Sequence, residues 1–498
     1  MKKTAFYSVM LVLLGILMPF NLIYADGSNK IFEGAPCINP PYIIGNYPET
    51  TFLFYIPTSG ERPMAWKADD LPKGLSLNSE TGIISGKVTD AGEYTVTLTA
   101  TNRLGKDKQQ IIIRIGEELA LTPPMGWNSW NTFGRHLTES LIMEIADAMV
   151  KNGMRDLGYA YINIDDFWQL KERGADGHIQ INKEKFPNGI KYVADYLHER
   201  GLKLGIYSDA AEYTCGGVCG SIGYEDVDAK DFADWGVDLL KYDYCGAPFG
   251  QQEAIERYTK MGKALRATNR SIIYSVCEWG QREPWKWAKQ VGGHYWRTTG
   301  DIGDHWSNKV IGPGLGVMEI TDMNAPLSEY AGPGGWNDPD MLIVGISGTS
   351  MSIGGNNKSG CSDEQYRSHM SLWCMMASPL LCGNDIRNMS RETLETLTNR
   401  NIIAINQDVL GKQATRSIRA DYFDIWVKPL SNNEMAIACL NRSDKLLDVL
   451  IDSKTIPGLT ANADIKDVWA GRNLGKLSDG LNVKLEPYQC KVYIFSGK

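Results

Sequence analysis

The stretch LLKYDYCGAP, residues 239–248, carries an apolar run into Lys241, Asp243 and Cys245. Residues two apart on a strand share a face, so Lys241 and Asp243 stand side by side, and a nearby cation favours the ionised carboxylate. An anionic Asp243 is what a nucleophile requires. A purely structural ion pair at a sheet rim is the alternative. Similar runs ending in acids and aromatics recur along the chain. They deliver Trp127 and Trp130 (PMGWNSW), Asp165, Asp166 and Trp168 (YINIDDFW), and Tyr207 and Asp209 (LKLGIYSD). Further on come Cys277, Glu278 and Trp279 (IIYSVCEW), Arg297 and Asp301 (YWRTTGDI), and Trp336, Asp338 and Asp340 (WNDPDMLIVG). SPLLCGND makes an eighth run.

Carboxylates gathered around one pocket can hold metal ions, move protons or bind sugar hydroxyls. A hydrolytic metal centre normally recruits histidine, yet the chain has 6 histidines, no H-x-H or H-E-x-x-H, and none at these tips. Acyl transfer lacks both its histidine and a G-x-S-x-G elbow. No G-x-G-x-x-G follows an early strand and no P-loop occurs, so no nucleotide cofactor has a seat. Sugar chemistry fits what remains. Flat aromatic faces suit pyranose C–H groups, paired carboxylates suit hydroxyls, and two carboxylates flanking a glycosidic bond suffice for its hydrolysis. Any single aspartate could instead cap a helix or pair with a base, but six tips of one character argue for a site.

The elements that must position these residues follow from periodicity. Between residues 119 and 411, strand-length apolar runs alternate with amphipathic helical segments such as ESLIMEIADAMVKNGM and FPNGIKYVADYLHERG. Eight such units predict an α/β fold, a (β/α)8 TIM barrel with its site at the C-terminal ends of the strands; a doubly wound open sheet is the runner-up. Residues 30–117 show short Val/Ile/Thr-rich runs between turn signals and predict a β-sandwich, and residues 412–498 predict a second, antiparallel β domain.

Composition bounds the partners. The 498 residues are 43% hydrophobic and 22% charged, with a net charge of -8 and a pI near 5.5. An acidic chain without a basic run is not built for nucleic acid. Residues 1–25 place two lysines before an apolar stretch and end in Ala25, the pattern of a bacterial-type signal peptide, so export to the periplasm or beyond is expected. An uncleaved anchor is the alternative. No later run reaches membrane-spanning length. Among 10 cysteines, Cys215 and Cys245 form the suggestive pair with Cys219 competing, while Cys277, Cys374, Cys382 and Cys439 read as buried thiols.

LTPPMGWNSWNTFG, INIDDFW, LKLGIYSD, DFADWGVDLLKYDYC, CEW, WRTTGDI and GGWNDPDML, in this order, resemble the retaining α-galactosidases of glycoside hydrolase family 27. The likeness spans residues 119–412 and continues more loosely through the C-terminal domain. LPKGLSLNSETGIISGKVTDAGEYTVTLTATN resembles the Ig-like domains of bacterial surface proteins and carbohydrate-active enzymes. The resemblance implies Asp243 as nucleophile, Asp301 as general acid/base and a Cys215–Cys245 disulfide. It implies Trp127, Asp165, Asp166, Tyr207, Lys241, Glu278, Arg297 and Asp340 as sugar contacts, with Cys277 and Trp279 beside them.

Asp165 and Asp166 would then hold O4 and O6 of a terminal α-galactoside. Double displacement follows, with carboxylates roughly 5–6 Å apart and no metal or cofactor. The chain also departs from parts of the pattern. CEWGQREPWKW is similar to the plant and microbial members near O2 and lacks the small residues that admit a 2-acetamido group. The Asp165–Asp166 pair argues against β-L-arabinopyranosidase activity, and Cys219 is an additional cysteine.

Overall fold

The computed structural model describes residues 30–307, 314–348 and 360–497. The leader-like segment 1–25 lies outside the described residues. The eight apolar runs are extended and almost wholly buried, because a parallel strand is covered by helices on one side and barrel interior on the other. They are β1 (Met125–Asn128), β2 (Tyr161–Asn163), β3 (Lys203–Asp209), β4 (Leu239–Asp243), β5 (Ile273–Val276), β6 (Tyr295–Arg297), β7 (Trp336–Asp338) and β8 (Leu380–Cys382).

Each strand from β1 to β6 pairs in parallel with the next, and β8 pairs with β1. A parallel bridge from Leu342 to Cys382 joins the segment after β7 to β8. The fold is therefore the TIM-type barrel that the alternation predicts, not an open sheet.

Period-2 geometry sorts the side chains. Leu239, Ile273, Tyr295, Trp336 and Leu381 form one buried cluster that plugs the barrel. Trp127, Ile162, Ile206, Leu240 and Tyr242 belong to a different cluster, beneath the helices. Lys241 and Asp243 follow Leu239 on the inward face. Gly205 of β3 keeps that face open, since a Cβ there would come within 1.7 Å of Asn163 Oδ1. Around the strands, α1 (Glu139–Lys151) starts at Thr138, whose Oγ1 accepts the Leu141 N–H at 3.2 Å, and buries Leu141, Ile142, Ile145 and Met149 on one stripe.

The N-terminal domain packs away from the strand tips, whereas the C-terminal domain reaches the loop after β6, where the Trp306 and Tyr488 ring centroids lie 6.0 Å apart. The N-terminal sandwich sets a four-stranded sheet against a three-stranded one around Phe52, Ile84, Val96, Leu98, Ile111 and Ile113. It docks at the opposite end of the barrel. Tyr47 N–H donates to Ser271 Oγ at 3.0 Å just before β5, and Asp156, ahead of β2, accepts from Tyr55 Oη at 2.6 Å and Arg62 at 2.7 Å.

The C-terminal domain is a six-stranded antiparallel sheet backed by a two-stranded antiparallel sheet of Leu447–Ile451 and Leu481–Leu485. Its strand Met435–Asn441 is buried throughout because it has two partners. Ala436, Ala438 and Leu440 join the barrel's outer cluster, while Ile437 and Cys439 join the domain's own core. Opposite the sheet lies α2 (Asp363–Met375), opened by the Ser362–Gln365 capping box. Among the described residues no helix is long and apolar enough to cross a membrane.

Asp156 is 1% exposed and ties two domains together. Asp156→Ala should cost about 2–4 kcal/mol by stranding Arg62 and the Tyr55 hydroxyl. Differential scanning calorimetry should show a lowered transition, and limited proteolysis should release the sandwich earlier than in the wild type.

Candidate active site

Above the apolar plug, the inward side chains turn polar in a single step along each strand. Lys241 Nζ donates to Asp165 Oδ2 at 2.8 Å, and Asn128 Nδ2 donates to the same oxygen at 2.8 Å. Arg297 bridges Asp301 Oδ1 at 3.0 Å and Asp340 Oδ2 at 3.1 Å. These two cations are the charged floor of a pocket with room for about 80 Å³ of water-sized contents. Its wall comprises Trp130, Asn131, Asp165, Asp166, Tyr207, Cys215, Lys241, Asp243, Cys277, Trp279, Arg297, Asp301, Asp340 and Met341.

The carboxylates are held firmly. Asp166 accepts the N–H groups of Gly216 and Phe167, both at 2.8 Å. Asp243 accepts the Tyr244 N–H on Oδ1 at 3.0 Å and the Tyr207 hydroxyl on Oδ2 at 3.1 Å. Asp340 accepts the Ile302 N–H at 2.7 Å, which pins the backbone beside Asp301. Asp301 differs from the others: its side chain is 42% exposed, while Asp243 is 5% exposed. The disulfide Cys215–Cys245 links the loops after β3 and β4, with Cys215 Sγ 3.6 Å from Asp243 Oδ2; Cys219 is a buried free thiol.

The expected Lys241–Asp243 partnership takes a different form. Lys241 bonds Asp165, and its charge reaches Asp243 only through space. Burial dominates at Asp243, with Asp301 adding to the rise and Lys241 opposing it, so the carboxyl is pushed up to about 6. Asp209, opposite Asp243 in the strand register, is pushed up to about 9 by burial and by Asp243. Asp338 is pushed up to about 7 by burial, against the pull of Arg297. Burial thus makes Asp209 and Asp338 hold their protons to higher pH than an ordinary carboxyl.

Two expected sugar contacts are corrected. Trp127 lies at 0% exposure beneath the helices, its Nε1–H donating to Asn384 O at 2.8 Å. Glu278 lies at 0% exposure and pairs with Arg282 at 3.2 Å; burial raises its carboxyl to about 7. Neither lines the pocket. Both sit one position off the inward face, where β-geometry turns a side chain outward. The pocket receives Trp130 instead of Trp127, and Cys277 and Trp279 on either side of Glu278. Asn131 and Met341 were not anticipated. Trp130 and Asn131 open the short helix Trp130–Phe133 beyond β1, where strand alternation stops being a guide.

Among the described residues, Asp209, Cys215, Asp243 and Cys245 bring potential ligand atoms within 4.8 Å of one another. Both sulfurs are consumed in the disulfide, so the group does not make a metal-binding donor set.

Comparisons with known proteins follow the same lines. Residues 122–408 match the family model described as Alpha galactosidase A, residues 35–116 an Ig-domain model, and residues 420–495 the Alpha galactosidase C-terminal beta sandwich domain. Alpha-galactosidase A of Cellvibrio japonicus is 48% identical over 339 residues, covering 68% of this chain and 80% of that one. A crystal structure from Bacteroides fragilis is 66% identical, with a TM-score of 0.91 over 94% of this chain and 99% of that one. Alpha-galactosidase I of Mortierella vinacea is 35% identical, with a TM-score of 0.70 over 76% and 98%.

The raised Asp243 carboxyl predicts a stability signature. Ionisation in the folded state is penalised above about pH 6, whereas below about pH 4 folded and unfolded chains are both protonated there and the penalty vanishes. Asp243→Asn should therefore melt roughly 2–5 °C above the wild type at pH 8 and converge with it as the pH falls to 4.

Proposed function

The chain belongs to the α-galactosidases of glycoside hydrolase family 27, and from that premise we propose that Asp243 and Asp301 hydrolyse terminal, non-reducing α-D-galactosides by double displacement. The observation that carries these roles is the contrast between the two acids on one pocket wall. Asp243 is buried, accepts two hydrogen bonds and faces the through-space charge of Lys241; Asp301 stands at the open side with Arg297 on one oxygen.

Asp243 attacks the anomeric carbon while Asp301 protonates the departing oxygen, and Asp301 then takes a proton from the water that releases the sugar. The anomeric configuration is retained. A buried anion is costly in the empty pocket, and the positive charge that develops on the sugar relieves that cost in the transition state. Arg297 occupies Oδ1 of Asp301, so the transferable proton travels on Oδ2.

Asp165 and Asp166 are proposed to receive O4 and O6. Lys241 and Asn128 orient Asp165, and Gly216 orients Asp166. An equatorial O4 would leave a buried acceptor unpaired, at about 1–3 kcal/mol, which supports galactose over glucose. Trp130 and Trp279 offer apolar faces for the ring, with Cys277 beside Trp279 on the same wall. The lysine-led segment 1–25 supports export to the periplasm or beyond, where such glycans are met.

Initial rates on p-nitrophenyl α-D-galactopyranoside should exceed those on the α-N-acetylgalactosaminide and the β-L-arabinopyranoside. NMR should find the α-anomer as first product; a β-anomer would overturn double displacement. Asp243→Asn should lower kcat by at least ~10³-fold. Asp301→Asn should cost about 10²–10⁴-fold on oligosaccharides and less on the aryl galactoside, whose leaving group needs little protonation. The acid limb of kcat/KM should fall as pH drops through about 6, where free Asp243 gains its proton.

A further inference from the structure

Phe249 is 75% exposed, the highest value among the large hydrophobic side chains of the described residues. Scattered exposed apolar side chains are ordinary, so exposure alone says little. The support beneath this ring is not ordinary. The guanidinium of Arg282 lies 4.8 Å from the Phe249 ring centroid and 4.6 Å from that of Tyr244. Tyr244 in turn stacks on buried Tyr258, with centroids 5.7 Å apart and planes inclined by 17°.

Arg282 is itself buried and fixed. It pairs with Glu278 at 3.2 Å, donates from Nε to Phe249 O at 2.9 Å, and its own carbonyl accepts from Gln251 at 2.7 Å. The result is a column of flat groups rooted in the barrel and ending in water. Its outer end sits in the loop after β4, six residues beyond Asp243 and four beyond the disulfide cysteine Cys245. Arg282 follows β5 three residues after Trp279, which lines the pocket. Phe249 thus stands on the rim between the β4 and β5 tips, outside the galactose pocket. Glu278, which does not reach the pocket, anchors the column.

We propose that Phe249 is the platform of an aglycone subsite, stacking on the apolar C–H face of a sugar ring in the leaving portion of the substrate. The inference rests on the galactoside reading above and extends it to substrate choice. A fixed ring loses little conformational freedom on binding, so its contact appears mainly in KM. The occupant is a pyranose ring of an oligosaccharide chain, because a large neutral ring with a flat apolar face matches an uncharged aromatic surface.

The test compares α-galactosyl fluoride, which has no aglycone ring, with an α-galactosyl manno-oligosaccharide. Phe249→Ala should raise KM about five- to tenfold on the oligosaccharide, leave kcat/KM on the fluoride unchanged, and leave the melting temperature unchanged. Phe249→Trp should restore oligosaccharide KM. Equal losses on both substrates would overturn the proposal by assigning Phe249 to the loop that carries the nucleophile. No loss on either would overturn it by leaving the ring idle. Failure of the wild type to hydrolyse the fluoride would instead overturn the reaction on which the subsite rests.

Discussion

Seven carboxyls, Asp165, Asp166, Asp209, Asp243, Asp301, Asp338 and Asp340, crowd one end of the barrel, and among the described residues Lys241 and Arg297 are the cations on the pocket wall beside them. Buried anions must be paired, hydrogen-bonded or protonated, and the site uses all three remedies. Asp165 and Asp340 take the two cations. Asp166 takes backbone N–H groups, and burial leaves Asp209 and Asp338 with raised affinity for their protons. Asp243 falls between these cases, held up to about 6, and this intermediate state suits a nucleophile whose charge is wanted only when a cationic transition state arrives.

The surrounding architecture keeps this arrangement from relaxing. Strand register sets Asp209 opposite Asp243 and Tyr207 opposite Lys241, so the spacing of the acids is a property of backbone hydrogen bonds. The disulfide joins the β3 and β4 loops beside the nucleophile, and Asp340 binds the backbone next to Asp301. The sandwich attaches at the far end of the barrel, and the C-terminal sheet packs against α2 and touches the loop after β6 through Tyr488 on Trp306. Access to the pocket is therefore shaped by barrel loops, including the one that carries Phe249.

Much of the site is legible in the chain because strand tips advertise themselves. An apolar run that stops at an acid or a cation marks where interior packing ends, and this pattern yields Asp165, Asp166, Tyr207, Lys241, Asp243, Arg297, Asp301 and Asp340. All eight line the pocket. Trp127 and Glu278 mislead for one shared reason: motif reading ignores which face a residue takes, and the strand alternation that places Asn128 and Cys277 inward sends both of them outward. Asn131 and Met341 escape notice because they lie beyond the strand ends, where the strand period no longer applies.

Periodicity and residue type by themselves determined the three β and α/β segments, the eight strands and the kind of chemistry at their tips, since these depend on local burial patterns and on functional groups. Tertiary structure alone decided which acid each cation serves. Lys241 adjoins Asp243 along the strand but bonds Asp165 from β2, because barrel closure brings that carboxylate within 2.8 Å. It also decided the proton affinities, which arise from burial and from neighbours far away in sequence. Electrostatic energy depends on distance and dielectric surroundings, and neither exists until the chain has closed on itself.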